Sequence, residues 1–369
     1  MRRREFIKSI SSTVAAVSLF DRRLSAATPA SGYSKPVIDA HVHWYPQSFV
    51  DLMVKEGAAN GAQIEGPNKN GEFTAKVPGG QWYEPGGSVF RREMVDLPTI
   101  FEQMKMRRID MYALSMTHPM VYWAPSAFGL KLSQVANDET SAVHTKYPDK
   151  FVGTIMLPLQ DPQLALEELD RAAKLPGMRA VNMGEDVNGK SISDKSFWPV
   201  WERCEALGLP LFLHNLNPPD HEHLIGPDFS MMNVLGNPYQ VGSAAEALML
   251  SGALDAFPRL EVYLPHAGGT FPWLVWRTER SQQRGEFKSL KNPASSYLQR
   301  FYYDLIVFNP KLLRVLIDMV GIERMVCGTD YPQGMAVNQP IETVESIPDI
   351  SHHECEMILC DNPARLLKL

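Results

Sequence analysis

The sequence predicts an α/β fold, a single TIM (β/α)8 barrel. From residue 36 onward, apolar β-prone segments alternate with segments whose apolar residues recur at helical spacing. Several of the strand-like segments end in a histidine or an aspartate, and a barrel collects its functional groups at the carboxyl ends of its strands. An open doubly wound sheet is the alternative, but no glycine-rich nucleotide fingerprint follows the first strand.

Eight strands alternate with helices in this prediction. The helices include Asp161–Lys174, which begins with Asp-Pro, and the amphipathic segments Phe197–Leu207 and Ala244–Phe257. The predicted strands are Pro36–His43, Met111–Met116, Phe151–Pro158, Met178–Gly184, Leu209–His214, Leu260–His266, Phe301–Val307 and Arg324–Asp330.

An insertion at residues 54–95 interrupts the alternation after the first strand. It is rich in Gly, Asn and Pro, and a loop of this length in a compact domain is usually functional or disordered. Short strands at Glu72–Val77, Gln81–Glu84 and Ser88–Arg92 could form a small sheet or hairpin. Because the insertion leaves the carboxyl end of strand one, we expect it to form a lid or substrate wall. The barrel domain then covers residues 36–369, with no second domain.

The N-terminal segment, residues 1–30, matches a twin-arginine (Tat) signal peptide. Arg3 and Arg4 precede Phe6, Ile7 and Lys8, and the following apolar stretch is short and diluted by Ser and Thr. A disordered basic tail is the alternative. The pattern predicts export by the Tat machinery and a periplasmic mature protein.

Bulk properties exclude several classes of protein. The net charge of −6 offers no basic patch for nucleic acid. Nothing past residue 30 is apolar for long enough to anchor the chain stably in a membrane. The four cysteines lack metal-finger spacing, and Cys204 and Cys327 lie in apolar runs that indicate buried thiols.

Four strand-end residues form a candidate metal site. His41 and His43 are two apart on a strand and so point to the same side. His214 and Asp330 end strands five and eight, which brings all four to one barrel mouth. Three nitrogens and one oxygen suit Zn²⁺ or another divalent first-row metal, which can lower the pKa of bound water to about 7.

Other residues near the same mouth are candidates for chemistry or binding. His266 ends strand six and can act as general acid/base, and Asp330 or His266 could protonate a leaving group. Asp39 either orients a ligand histidine or is a structural inward-facing polar residue. His118 and Trp273 could line the pocket or stack on an aromatic substrate, with core packing as the alternative for the tryptophan.

Motifs along nearly the whole chain past residue 36 resemble the amidohydrolase-related family. VIDAHVHWYP, LFLHN, LEVYLPHAGGTFPWLVWR, FYYD and VCGTDYP occur in order, and they look most like the branch typified by aminocarboxymuconate-semialdehyde decarboxylase. The resemblance implies a distorted TIM barrel of the metal-dependent hydrolase type, with one divalent metal, commonly zinc and sometimes manganese. It places the ligand roles on His41, His43, His214 and Asp330, and the acid/base role on His266.

The resemblance also implies a substrate contact and an assembly. Arg277 matches an arginine that binds a substrate carboxylate in such decarboxylases, sometimes across a dimer interface, and members of this branch are often homodimers. We therefore expect a homodimer. Binuclear relatives carry a carboxylated lysine at the end of strand four, whereas this strand ends Asn182-Met183-Gly184. A mononuclear site follows.

Two departures concern the residues that read the substrate. The decarboxylase branch has a second substrate-binding arginine just ahead of strand two, where this chain has Ile100 or a neighbour, with only Arg91 and Arg92 nearby. After the strand-five histidine this chain reads Asn215-Leu216 where the decarboxylase has a tryptophan. The chemistry is therefore expected to be kept while the substrate differs.

The expected function is a carboxy-lyase acting on a small carboxylated aromatic or unsaturated acid. A metal-dependent hydrolase of a lactone, ester or amide is the alternative, since both reactions need the same residues. A non-catalytic periplasmic binding protein is a third class, and it is disfavoured because simple binding does not require the acid/base His266.

Overall fold

A computed structural model describes residues 32–79, 87–216 and 231–369. The predicted signal peptide, residues 1–30, and the predicted short strand Gln81–Glu84 lie outside the described residues. They stay predictions.

Seven parallel strands form one sheet in which each strand pairs with the next along the chain, in the order Ile38–His43, Met111–Ser115, Phe151–Met156, Met178–Gly184, Leu211–His214, Val262–Leu264 and Phe301–Tyr303. The order never reverses, so the sheet has no switch point of the doubly wound kind. The strands of the described chain are β1 (Ile38–His43), β2 (Gln63–Glu65), β3 (Thr74–Lys76), β4 (Ser88–Val89), β5 (Met111–Ser115), β6 (Phe151–Met156), β7 (Met178–Gly184), β8 (Asp186–Val187), β9 (Lys190–Ser191), β10 (Leu211–His214), β11 (Val262–Leu264) and β12 (Phe301–Tyr303).

Helices connect the barrel strands. The helices predicted at Asp161–Lys174 and Phe197–Leu207 begin within one residue of their predicted starts, whereas the helix predicted at Ala244–Phe257 begins seven residues earlier, at Asn237. Asp161 accepts a hydrogen bond from the Leu164 amide and so caps the predicted helix at its first turn. The predicted Ala244–Phe257 helix is divided in two, because Gly252 adopts a left-handed φ of 81°. The helices within the described ranges are α1 (Gln47–Glu56), α2 (Arg92–Val95), α3 (Leu97–Arg107), α4 (Ser126–Lys146), α5 (Pro162–Ala172), α6 (Trp198–Leu207), α7 (Asn237–Leu250), α8 (Ala253–Ala256), α9 (Phe271–Gln283), α10 (Pro310–Val320), α11 (Pro340–Glu345), α12 (His352–Glu356) and α13 (Asn362–Leu367).

The eighth barrel position is an extended segment and not the regular strand Arg324–Asp330 that the sequence predicted. Its backbone bonds to both neighbours: the Val326 amide donates to the Tyr303 carbonyl at 2.9 Å, and the Asp330 amide donates to the His41 carbonyl at 2.8 Å. Asp330 has a left-handed φ of 64°, which interrupts regular strand geometry. The segment still links β12 to β1.

Two further strands are less than half as long as predicted, and local chemistry explains both. β11 ends at Leu264 because the next residue, Pro265, has no amide hydrogen to donate to a ladder. β12 ends at Tyr303, and the Asp304 carboxylate then accepts the amide of Ile306. His266 therefore stands in a tight turn after β11 and not on the strand itself.

The insertion forms a three-stranded antiparallel sheet, β2-β3-β4. β3 and β4 fall within the predicted strands Glu72–Val77 and Ser88–Arg92, whereas β2 was not predicted. Asp39, at the base of the barrel mouth, helps join β1 to the eighth segment. Its carboxylate accepts the Thr329 hydroxyl at 2.6 Å, and Arg107 donates to the same hydroxyl at 3.0 Å.

Within the described residues, no helix is both long and apolar enough to cross a membrane.

Candidate metal centre

The four predicted ligands converge at the barrel mouth. One ligand atom from each of His41, His43, His214 and Asp330 lies within 4.8 Å of all the others, and all four side chains are buried. His43 Nε2 lies 2.8 Å from Asp330 Oδ1, and His41 Nε2 lies 3.5 Å from the same oxygen. The parallel strands bring together residues from positions 41 to 330, as predicted.

The hydrogen bonds of the rings leave the correct nitrogens available for a metal. His41 Nδ1 donates to Asp304 Oδ2 at 3.1 Å, and His214 Nδ1 donates to the Asn215 carbonyl at 3.0 Å. The Nε2 atoms of both rings are buried and have no hydrogen-bond partner among the described residues. Buried nitrogens without a partner are costly unless a ligand occupies the site. The donor set and these two nitrogens therefore fit a divalent metal.

Burial and charge set the protonation of the cluster. Burial lowers the pKa of His214 well below its usual range, and it also lowers the pKa of His43. Burial alone would raise the pKa of Asp330, but the hydrogen bond with His266 and the charges of His41 and His43 outweigh it and hold that pKa well below the usual range. Burial acts to lower the pKa of His41 as well, but the hydrogen bond with Asp304 and the charges of Asp330 and Asp304 outweigh it and raise that pKa. A metal binds neutral imidazoles and an ionised carboxylate, so metal binding would release any extra proton that His41 carries.

Asp304, the residue after β12, organises this centre, and sequence reasoning gave it no role. Its carboxylate accepts hydrogen bonds from the His41 ring, the Tyr263 hydroxyl at 2.7 Å, and the backbone amides of His266 and Ala267 at 3.1 and 2.7 Å. The sequence does contain a signal for Asp304, because the run FYYD is an apolar strand that ends in a carboxylate, just as the ligand strands end in a histidine or an aspartate.

Asp304 thereby orients a ligand histidine, which was one of the two roles considered for Asp39. Asp39 accepts the backbone amides of His41 and Thr329, at 3.1 and 3.0 Å, and the Thr329 hydroxyl. It makes no hydrogen bond to a ligand ring, so the structural alternative describes it. Gly328 allows the close packing beneath the centre, since a Cβ there would lie 2.8 Å from Asp304 Cβ and 3.0 Å from His41 Cβ.

His266 lies beside the cluster, where the sequence placed it. Its Nε2 is 3.9 Å from Asp330 Oδ2, and its ring centroid is 5.9 Å from that of His41. Both His266 and Ala267 have left-handed φ angles, 54° and 52°, which the Asp304 carboxylate holds in place through their amides. The arrangement suits a positioned proton donor and acceptor, although its catalytic role stays a prediction.

The candidate substrate residues divide between two places. His118 is buried at the edge of the cluster, with its ring centroid 6.0 Å from that of His214, and burial lowers its pKa to about 3. Trp273 is partly buried and packs against the hydrophobic core. Arg277 is exposed on α9 and lines a surface groove with Trp276, Arg280 and Phe287, away from the metal ligands of its own chain. Their substrate roles stay predictions.

Comparison with known proteins identifies the family. The amidohydrolase family model matches residues 38–369, and the chain belongs to that family. Similar curated proteins include the 2-amino-3-carboxymuconate-6-semialdehyde decarboxylase of Dictyostelium discoideum, 26% identical over 90% of this chain and 91% of that protein. A γ-resorcylate decarboxylase of a Polaromonas strain is 29% identical over 61% of this chain and 73% of its own length. These relatives confirm the predicted branch.

Solved structures confirm the predicted fold. The 5-carboxyvanillate decarboxylase of Sphingomonas paucimobilis superposes with a TM-score of 0.77 over 91% of this chain and all of that chain, at 23% identity. A dihydroxybenzoic acid decarboxylase from a Polaromonas strain, crystallised with manganese and 2-nitroresorcinol, gives 0.73 over 91% of this chain and 97% of its own, at 24% identity. The α/β barrel expectation is therefore correct.

Proposed function

We propose that this protein is a metal-dependent decarboxylase of a small carboxylated aromatic or unsaturated acid. The observation that carries the proposal is the buried cluster of three imidazoles and one carboxylate with His266 beside it. The relatives named above are decarboxylases, which favours this reaction over hydrolysis at the same residues.

His41, His43, His214 and Asp330 would hold one divalent metal. A cation there would act as a Lewis acid and draw electron density from the oxygen atoms of the substrate. The Asp304 carboxylate keeps His41 in the tautomer whose Nε2 faces the centre, and the Asn215 carbonyl does the same for His214. We propose zinc because three nitrogens and one oxygen suit it, with manganese as the alternative that a similar solved structure contains.

Decarboxylation requires a proton at the carbon that loses the carboxylate. The carbon–carbon bond breaks, CO₂ leaves, and the electron pair that remains on the carbon takes a proton. His266 is the group we assign to that transfer, because its ring stands beside the ligands and its Nδ1 has no hydrogen-bond partner among the described residues. Asp304 fixes the backbone that carries this ring.

Substrate contacts, assembly and location complete the proposal. Arg277 is exposed on α9, so it would reach a substrate only in the site of a second copy, which agrees with the proposed homodimer. The twin-arginine motif at Arg3 and Arg4 supports export by the Tat machinery, cleavage of the signal and a periplasmic location.

The test is metal content and product mass for purified mature protein, with His266→Ala as the variant and the exposed His353→Ala as its control. We expect about one equivalent of metal per chain. A panel of carboxylated aromatics and lactones should yield a product that has lost CO₂. His266→Ala should keep the metal and lower kcat by about 10²–10⁴-fold, whereas His353→Ala should match the wild type.

Two results would overturn the proposal. A product that has gained water would assign the protein to the hydrolases. Carefully prepared protein that neither contains nor takes up a divalent metal would remove its basis.

A further inference from the structure

Asp330 is the candidate metal ligand with the least regular backbone support. His41 and His43 lie on β1, which pairs with β5, and His214 lies on β10, which pairs with β7. Asp330 instead lies in the extended eighth segment with a left-handed φ of 64°. A residue with a side chain keeps this conformation only where the surrounding structure holds it. Contacts outside the strand ladder must therefore fix the position of its carboxylate.

Arg107 supplies such contacts from the far end of α3. It is the last residue of that helix, and only 7% of it is exposed. Its Nη1 donates to Thr329 Oγ1 at 3.0 Å, and its Nη2 donates to Asn338 Oδ1 at 2.9 Å. Thr329 directly precedes Asp330, and Asn338 lies just before α11. One planar guanidinium thus joins the two ends of the loop formed by residues 329–338.

Arg107 also covers the residue that follows Asp330. Its guanidinium carbon lies 4.7 Å from the centroid of the Tyr331 ring, within the range of a cation–π contact. The Tyr331 amide donates to Thr329 Oγ1 at 3.3 Å, and its carbonyl accepts the amide of the ligand His43 at 2.7 Å. Arg107 therefore contacts the neighbours of Asp330 on both sides.

Asp39 holds part of the same loop in a different way. It accepts the amide and the hydroxyl of Thr329, at 3.0 and 2.6 Å. Burial raises the pKa of Asp39 to about 6, and the hydrogen bond from Thr329 and the charge of Arg107 oppose that rise. Arg107 thus balances a buried acid and, separately, links Thr329 to Asn338. A lysine would keep the charge but lose the link, because it has one nitrogen where the arginine uses two.

We propose that Arg107 is a positioning residue that fixes the Asp330 carboxylate in the metal centre by joining the two ends of the loop 329–338. The inference rests on the proposed function, because it concerns the metal which that function requires. Among the described residues, Arg107 bonds to Thr329 and Asn338 and to none of the four candidate ligands. It acts through Thr329 and Tyr331, and it makes metal affinity depend on α3.

The experiment compares Arg107→Lys with Arg171→Lys in the full chain. Arg171 also makes a forked contact, since its Nε and Nη2 donate to the buried Glu168 at 2.7 and 2.8 Å, but it lies on α5 and bonds to no residue of the centre. Zn²⁺ affinity is measured by competition with a chromogenic chelator, and the melting temperature is measured without metal. Both variants should melt at a lower temperature. Only Arg107→Lys should weaken Zn²⁺ binding, by about tenfold.

A second variant keeps the test decisive if Arg107→Lys does not fold. Asn338 is exposed, so Asn338→Ala should fold, and it removes only the far end of the link. It should weaken Zn²⁺ binding several-fold while the melting temperature of the metal-free protein changes little.

Three results would overturn the inference. Wild-type affinity in the Arg107 variant, or in Asn338→Ala when that variant alone folds, would show that the loop contacts do not position Asp330. An equal loss of affinity in Arg171→Lys would trace the effect to general destabilisation. Both results leave the proposed function intact, because the wild type still binds metal. A wild type that binds no metal would overturn the inference and the proposed function together.

Discussion

Two buried acids follow barrel strands directly and have opposite surroundings. Asp304 comes after β12, is fully buried, and accepts hydrogen bonds from five donors, including the His41 ring and the His266 amide. Glu185 comes after β7 and is 6% exposed, and neither of its oxygens makes a hydrogen bond of ordinary geometry among the described residues. A position at the end of a strand therefore does not by itself make a carboxylate part of the metal centre. Asp304 belongs to the centre because hydrogen-bond donors of that centre converge on it.

The electrostatic consequences differ in the same way. Burial raises the pKa of Glu185 well above its usual range, the charge of Asp186 adds to this, and the Leu216 backbone amide offsets it only in part. Glu185 lines a groove between β8, β9 and α7. Asp304 instead connects a candidate metal ligand to the candidate proton donor.

Removing the metal should have the largest effect on activity, and it should affect the strand before Asp304 more than the strand before Glu185. A chelator should abolish turnover, and added Zn²⁺ or Mn²⁺ should restore it. Hydrogen exchange should increase at Phe301–Tyr303, which leads into Asp304, more than at Met178–Gly184, which leads into Glu185, because metal binding stabilises the ligands that Asp304 holds. Equal increases at both strands would contradict the assignment of Asp304 to the centre.

Asp304→Asn should weaken metal binding by about 10–100-fold, since it replaces the carboxylate that orients His41. The measurement is metal affinity by competition with a chromogenic chelator. Asp39→Asn is the matched control, because Asp39 is equally buried yet bonds only the backbone of His41 and the Thr329 residue. The control should lower the melting temperature and leave metal affinity within a few-fold. Similar losses of affinity in both variants would show that the bond to the ring is not the cause.

Glu185→Gln should have the smallest effect, and unlike the changes above it should stabilise the protein. The free energy of unfolding should increase by about 1–3 kcal/mol at pH 8. The folded-state pKa of Glu185 is raised, so the stability it contributes is complete below its unfolded value of about 4.5 and is lost as the pH rises through the folded value. Glutamine does not ionise, so the variant should not lose this stability as the pH rises. Melting temperatures of the wild type and the variant from pH 5 to 8 measure the difference.

The control for this prediction is Glu168→Gln. Glu168 is as buried as Glu185 but accepts hydrogen bonds from Arg171 and Asn137. The change should therefore destabilise the protein at neutral pH. If Glu185→Gln and Glu168→Gln shift the melting temperature in the same direction, the hydrogen bonds that Glu168 accepts do not explain the difference between the two acids.

The comparison also shows what the sequence could predict. The ligands His41, His43, His214 and Asp330 were found because each ends an apolar run with a residue that binds metal. Asp304 and Glu185 end comparable runs, FYYD and VNMGE, and the sequence cannot separate them. The donors that distinguish Asp304 include a ring 263 positions away in the chain, which no local pattern reveals.

Strand boundaries and substrate contacts were less predictable for related reasons. The eighth strand was predicted as regular, but Asp330 adopts a left-handed conformation that depends on tertiary contacts. Arg277 was placed from family resemblance, and the single chain leaves it exposed on α9. The insertion was expected to face the mouth, yet nothing in its sequence indicated that Ser88 and Arg91 lie beside His118 there.

The closure of the barrel also sets the order in which the protein can mature. His43 and Asp330 lie 2.8 Å apart but are separated by 287 residues, so the centre cannot assemble until nearly the whole chain has left the ribosome. At ordinary rates of synthesis that interval is on the order of tens of seconds. Metal capture is then one of the last steps of biogenesis. Under the proposed export route, which carries folded proteins, the compartment of synthesis and not the destination would decide which metal the enzyme acquires.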